Sequence, residues 1–290
     1  MQQTREYAAP GAIVRVGSRG SSDRGSVRAV NEDTFLAQAP YWVVADGMGG
    51  HAHGDRASRA AVEVFAAADA SDIPSGEQVL STIVAANDAV TALAADGSGF
   101  SGTTLTGLAL VRVAHTSALH WMVFNVGDSR TYTWNGRELD QVSVDHSAVQ
   151  ELIERGALSV EDAAFHPQRN VVTRALGADD EVEPDLWVFP VAGRQTFLLC
   201  SDGLTKELGD DEIARIVRFH EAERGRQGPD AAGPELADRL VGAAVAAGGR
   251  DNVTVVVVES VFEGAGRDDD GETRERPDIP GLLEDTTPRG

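Results

Sequence analysis

The stretch YWVVADGMGG, residues 41–50, constrains the fold more than any other. Four β-branched or aromatic residues read as a short buried strand, after which the chain meets Asp46, Gly47, Gly49 and Gly50. The strand keeps the backbone stiff while the glycines permit close approach to a ligand, so a carboxylate is delivered at a fixed point. Taken alone, an Asp-Gly pair is most simply a hairpin turn. Here the arrangement recurs. The apolar run FLLC ends in Ser201, Asp202 and Gly203, the run from Met122 to Val126 ends in Gly127 and Asp128, and Asp251 stands just before the run that starts at Val253. Glu32 and Asp33 follow a similar polar, glycine-containing segment.

Carboxylates gathered at strand ends repel one another unless cations fill the space between them. With no His or Cys among them, the donors select hard ions, magnesium or manganese, held partly through water. Two such ions about 3.5–4 Å apart would bridge a water, lower its pKa and direct it at phosphorus. The pattern therefore points to metal-assisted hydrolysis of a phosphoester. Arg28, close to Glu32, has the planar fork that grips two phosphate oxygens and orients the ester.

Composition narrows the partners. A net charge of −21 excludes a sequence-independent grip on nucleic acid or an anionic membrane and favours a small cation. The single cysteine, Cys200, rules out an intramolecular disulfide or a thiolate zinc cluster and reads as buried packing. The longest apolar run, Val253 to Val258 broken by Thr254, is too short to span a bilayer, and the N-terminus has no secretory pattern, so the expected compartment is the cytoplasm. A length of 290 residues allows one large domain or two small ones. The basic residues are 24 arginines and one lysine, Lys206.

Along the chain, residues 13–16 read as a short strand and residues 51–69 and 75–95 as helices with apolar residues at three-and-four spacing. TTLTGLALVRV, SALHWMVFNVG, SRTYTWN and RELDQVS suggest an antiparallel meander between residues 103 and 143. A polar block with two short helices, 147–155 and 159–164, interrupts the strands and reads as an insert over a site. Strands return at 185–191 and 196–200, helices at 210–219 and 235–247, and a final strand at 253–261. Residues 262–290, with 9 acidic and 4 basic residues, read as a disordered tail. His146 reads as a structural hydrogen-bonder, Arg130 and Arg174 as partners of acidic residues, and the four tryptophans as packing.

The ordered series VRAVNEDTF, VVADGMGG, SGTTLTG, VGDSR, DHS, RALG, LLCSDGL and DNVTVVVV resembles the bacterial form of the metal-dependent serine/threonine protein phosphatases of type 2C, over about residues 12–261. The resemblance implies an α+β fold in one domain, a four-layer α-β-β-α sandwich of two central antiparallel sheets flanked by helices, with residues 1–11 as an N-terminal extension. It implies that Asp46 bridges two metal ions, that Asp202 and Asp251 complete one, and that Glu32, the Gly47 carbonyl and waters complete the other. Asp33 and Asn252 would support these ligands from behind. Arg28 corresponds to the phosphate-binding arginine, Asp128 with Asp202 to the ligands of a third metal in bacterial members, and about residues 145–175 to their flap.

Two positions depart from the family pattern. Met48 stands where animal members carry a histidine as candidate general acid, which leaves His51, His53 and His166, with His166 assigned to the site. Lys206 stands where some members carry an aspartate that supports the third metal. The implied activity is hydrolysis of phosphoserine and phosphothreonine in proteins by a metal-bridged water, without a phosphoenzyme. The implied substrates are those of a bacterial Ser/Thr kinase, and the implied state is a monomer. The alternatives are a catalytically silent phosphoprotein-binding module on the same fold and a phosphatase of small molecules. Retention of every carboxylate argues against the silent module.

Overall fold

A strand that is apolar at every position needs cover on both faces, and the order of elements supplies it twice over. In the computed structural model, which describes residues 3–49, 53–68, 72–94, 101–113, 118–163, 165–227 and 235–264, the chain begins with four strands. These are β1 (Gln3–Ala9), β2 (Ala12–Asp23), β3 (Asp33–Gln38) and β4 (Tyr41–Met48). Two helices follow, α1 (Gly54–Ala67) and α2 (Gly76–Ala94), and then five strands: β5 (Gly102–Thr103), β6 (Leu105–Arg112), β7 (Leu119–Val126), β8 (Arg130–Trp134) and β9 (Leu139–Gln141). The insert carries α3 (Ala148–Glu154) and α4 (Val160–Ala163). After it come β10 (Asp185–Pro190), β11 (Arg194–Cys200), α5 (Asp202–Thr205), α6 (Asp210–Gln227), α7 (Leu236–Ala247) and β12 (Val253–Gly264).

One antiparallel sheet has the order β1-β2-β12-β11-β8-β9, and the other β10-β7-β6-β4-β3 with β5 paired to β4. Side chains alternate along each strand, so a strand buried on both faces feeds two different cores. In β4, Trp42 and Val44 enter the layer between the sheets beside Trp121, Phe197 and Val256. Tyr41, Val43 and Ala45 face the other way, against Phe65 of α1 and Ile83 of α2. In β12, Val256 and Val258 join the middle layer, whereas Val255 and Val257 pack under Leu240 and Ala244 of α7. Each such valine or leucine contributes about 1.5–3 kcal/mol on burial, which favours apolar residues on both faces of these strands. The result is the α-β-β-α sandwich that the resemblance implied, and Cys200 is buried packing in it, its thiol pushed up to about 12 by burial.

Three local expectations are corrected. The strand at 13–16 continues to Asp23 and pairs with β12 from Ala12↔Gly264 to Asp23↔Val253. Its polar half escapes an apolar search because hydroxyls hold it: Ser18 Oγ donates to the Ala37 carbonyl at 3.1 Å, and Ser22 shares a 2.7 Å bond with Thr254. Residues 3–9, set apart as an extension, form the strand β1 against β2. The meander is split. β6 and β7 are neighbours in one sheet, but β8 lies beside β11 in the other, because the chain crosses between sheets after Val126. Gly127 makes that crossing with φ +109°, tight against Thr104, and alternation within a strand carries no signal of such a switch. Among the described residues no helix is long and apolar enough to cross a membrane. Residues 262–264, read as the start of the tail, instead complete β12, and the rest of the predicted tail, residues 265–290, lies outside the described residues.

Candidate metal centre

The strand ends bearing carboxylates meet where the two sheets come together. Asp33 opens β3 and pairs with Asp46, near the end of β4. In the other sheet Asp202 opens α5 directly after β11, and Asp251 precedes β12, which pairs with β11. Asp128 stands on the turn where the chain crosses from one sheet to the other. An open cleft of about 880 Å³ is walled by Glu32, Asp46, Gly47, Asp128, Asp202 and Asp251, with Arg28 and Met48 beside them. The flap adds Phe165, Arg169, Asn170 and Val172 to its rim. Every expected ligand is therefore brought to one place.

Main-chain groups and hydroxyls fix the backbone that carries the carboxylates. The Asp46 N–H donates to Thr104 Oγ1 at 3.0 Å, and its carbonyl accepts from the Thr104 N–H and the Thr103 hydroxyl, both at 2.9 Å. The Gly47 N–H donates to the Glu32 carbonyl at 3.2 Å, and a Cβ on Gly47 would lie 2.1 Å from the Gly54 carbonyl oxygen, so only glycine fits. Ser201 Oγ donates to Asp33 Oδ2 at 2.7 Å. Asn252 does the most bracing. Its Oδ1 accepts from the Glu32 N–H, and its Nδ2 donates to the carbonyls of Arg24 and Val30, all at 2.9 Å. The loop carrying Arg28 and Glu32 is thereby fastened to the residue next to Asp251.

Burial, then the charges of Asp33, Asp202, Asp128 and Asp251, hold Asp46 well above the ordinary carboxylate range. Burial pushes Asp33 up to about 7 against the Ser201 hydroxyl, and burial with the Asp202 charge pushes Asp128 up to about 7. Asp202 is raised by burial although Lys206 opposes it, and Glu32 is raised by burial although Arg28 opposes it. Asp251 alone is lowered, because Lys206 and Arg28 outweigh its burial. Arg28 Nε and Nη2 donate to its two oxygens at 2.8 and 2.9 Å, and Lys206 Nζ reaches Oδ2 at 3.0 Å. These two cations sit among the carboxylates, and no group of three or more His, Cys, Asp or Glu closes into a coordination shell among the described residues.

The donor set nevertheless fits hard divalent ions. It is all oxygen, it carries more negative charge than Arg28 and Lys206 offset, and Asp202 Oδ1 and Asp33 Oδ1 are buried with no hydrogen-bond donor reaching them among the described residues. A buried carboxylate oxygen without a donor is costly unless something positive meets it.

Comparison with known proteins decides the family. Residues 19–240 match the family model of protein phosphatase 2C. The chain belongs to the protein phosphatase 2C family. It is 38% identical over 255 residues to the serine/threonine protein phosphatase PstP of Mycobacterium tuberculosis, covering 86% of this chain and 45% of that protein. The chain thus spans about half the length of that relative. It is 36% identical over 259 residues to the serine/threonine phosphatase stp of Listeria monocytogenes, covering 85% of this chain and 97% of that one. The crystal structure of the catalytic domain of PstP in complex with two manganese ions has a TM-score of 0.71 at 33% identity, covering 86% of this chain and 99% of that chain.

Within this phosphatase 2C fold, no histidine lines the cleft among the described residues. His166 Nδ1 accepts from the Gln168 N–H at 3.2 Å inside the flap, and the ring is not part of the cleft wall. The His53 carbonyl accepts from Ser101, and His51 lies outside the described residues. His146 is a structural hydrogen-bonder, its Nδ1 accepting from the Gly127 N–H at 3.1 Å. Arg130 pairs with Asp145 at 2.6 Å and Arg174 with Asp185 at 3.1 Å. Sequence reasoning missed the hydroxyls of Thr103, Thr104 and Ser201 and the cleft-side place of Arg169 and Asn170. It gave α1 no chemistry, yet Asp55 in its first turn raises Glu32 electrostatically. Small polar residues give no periodic signal, and only an Asp at the start of the first predicted helix pointed toward that contact.

Proposed function

We propose that this chain is a manganese- or magnesium-dependent phosphatase that hydrolyses phosphoserine and phosphothreonine in proteins, with residues 12–261 as its catalytic unit. The observation that supports this reading most is the meeting of Glu32, Asp46, Asp202 and Asp251, in or beside strands of both sheets, in one cleft with Arg28. Asp46 would be shared by two ions, with Asp202 and Asp251 holding one and Glu32 and the Gly47 carbonyl the other. Asp33 and Asn252 brace them. Bound there, the ions supply charge neutralisation and an activated water.

The chain's own residues do the rest. Arg28 is half exposed and holds Asp251 through Nε and Nη2, while Nη1 makes no hydrogen bond among the described residues and is the donor left for a phosphate oxygen. Met48 lines the cleft and cannot donate a proton, and no histidine lines it among the described residues. The proton for the leaving hydroxyl would therefore come from water in the cleft or from another group of the site. The flap rim of Phe165, Arg169 and Asn170 is where a polypeptide flanking the phosphorylated residue would lie. Phosphoproteins made by a bacterial Ser/Thr kinase are the substrate class, and relatives named as serine/threonine phosphatases support it.

Hydrolysis of phosphothreonine and phosphoserine peptides, beside a small aryl phosphate, with manganese, with magnesium and after chelation, tests this reading. Activity should appear with metal, vanish with chelator and favour the peptides. Asp46→Asn should lower turnover by more than about 100-fold with the fold intact, since even partners behind a ligand cost about 10–100-fold. Wild-type rates in that variant would sink the mechanism.

A further inference from the structure

The chain uses lysine once against 24 arginines, and the structure places that lysine in the carboxylate cluster. Lys206 caps the C-terminal end of α5, four residues beyond Asp202, and its Nζ contacts Asp202 Oδ2. That contact alone would be an ordinary pair on one helical turn. The second contact is different: Nζ donates at 3.0 Å to Asp251 Oδ2, at the start of β12 and 45 residues away, so the ammonium bridges two elements. Lys206 also faces two cavities, the cleft of about 880 Å³ and an adjoining chamber of about 510 Å³ beneath the flap, and Asp128 and Asp202 border both as well. An ammonium is a compact point charge whose three donors can meet separate acceptors, whereas a guanidinium is broad and planar. A chain that otherwise uses arginine thus has a physical reason for lysine at this position.

We infer that Lys206 is a tethered cation built into the centre, taking the place of a further divalent ion among Asp128, Asp202 and Asp251, so that the cleft binds two ions rather than three. The inference rests on the metal-dependent reading above. By occupying Oδ2 of Asp202, the ammonium leaves Oδ1, which no donor reaches among the described residues, as the oxygen that would be left for a metal. Its charge offsets part of the carboxylate surplus and repels any additional divalent ion from the Asp128 side. Lys206 is a positioning residue and touches no substrate.

The test counts metal rather than activity. Full-length wild type, Lys206→Arg, Lys206→Met and Lys206→Gln are dialysed against manganese, checked for fold by circular dichroism in the loaded state, and analysed for bound metal by atomic absorption and calorimetric titration. Wild type and the charge-retaining Lys206→Arg should hold two ions per chain. Lys206→Met and Lys206→Gln should each hold a third, with the weakest ion bound roughly tenfold or more tightly, the size expected for removing one unit charge about 5 Å away under water-like screening. Two ions at unchanged affinity in both neutral variants would overturn the inference and leave the phosphatase reading standing. A folded wild type that binds no manganese would overturn that reading instead.

Discussion

Asn252 is 4% exposed, and its side chain makes three hydrogen bonds of 2.9 Å, to the Glu32 N–H and to the carbonyls of Arg24 and Val30. Asn252→Ala deletes all three at once. A buried hydrogen bond contributes about 1 kcal/mol net, and an orphaned partner costs about 1–3 kcal/mol more where water cannot replace the lost group. Counting about 1 kcal/mol for each of the three bonds, the expected loss is about 3 kcal/mol. At roughly 2–4 °C per kcal/mol for a chain approaching this size, Tm should fall by about 6–12 °C. Urea unfolding in chelator, followed by tryptophan fluorescence, measures the loss directly. Manganese affinity should fall as well, by about 10–100-fold, because the Glu32 backbone loses its anchor. Asn252→Asp keeps the acceptor for the Glu32 N–H but sets a carboxylate oxygen against two carbonyls, and it should cost at least as much. If Asn252→Ala lies within about 0.5 kcal/mol of wild type and binds manganese equally well, the loop is not held in the way the structure indicates.

Gly47→Ala should fold with the β3–β4 edge displaced and lose manganese binding, because the added methyl meets backbone atoms of Gly54 and Glu32 at 2.1 and 2.7 Å; calorimetric binding equal to wild type would refute the close approach. The buried carboxylates make a pH prediction in chelator. Asp33 and Asp128 are pushed from 3.8 to about 7, so the folded chain keeps protons that the unfolded chain releases, and their contribution to stability, full below about pH 4, is lost as pH rises toward 7. Denaturant midpoints should fall over that window and recover on adding manganese at pH 7, and a flat profile would count against the crowding of charge.

Much of this was legible in the residues because the fold writes its layers into the strands. The runs YWVV and FLLC are apolar at every position because alternate side chains serve two cores, and the carboxylates that follow are where strand rigidity ends at the cleft. What escaped lies in features without a period. The crossing at Gly127 sends β7 and β8 to different sheets although their texture is the same, and Ser18 and Ser22 extend β2 through hydroxyl bonds. His166, expected to serve the site in catalysis or substrate binding, has its Nδ1 engaged by the Gln168 N–H within the flap, a local bond that the sequence does not announce. The contact of Lys206 with Asp202 four residues before it was not anticipated from the sequence, and the pairing of β11 with β12 supplies the other, with Asp251.

The pairing of β2 with β12 joins residues 12–23 to residues 253–264 over twelve registered positions. A ribosome releases the first of these strands more than two hundred residues before the last, so a nascent chain holds Glu32 and Asp46 long before Asp251 can be placed beside them. Until β12 docks, neither the Asn252 clasp nor the second sheet's share of the cleft exists. A chain cut short by premature termination is thereby left without a complete cleft, which closes only once translation has run through nearly the whole of the fold.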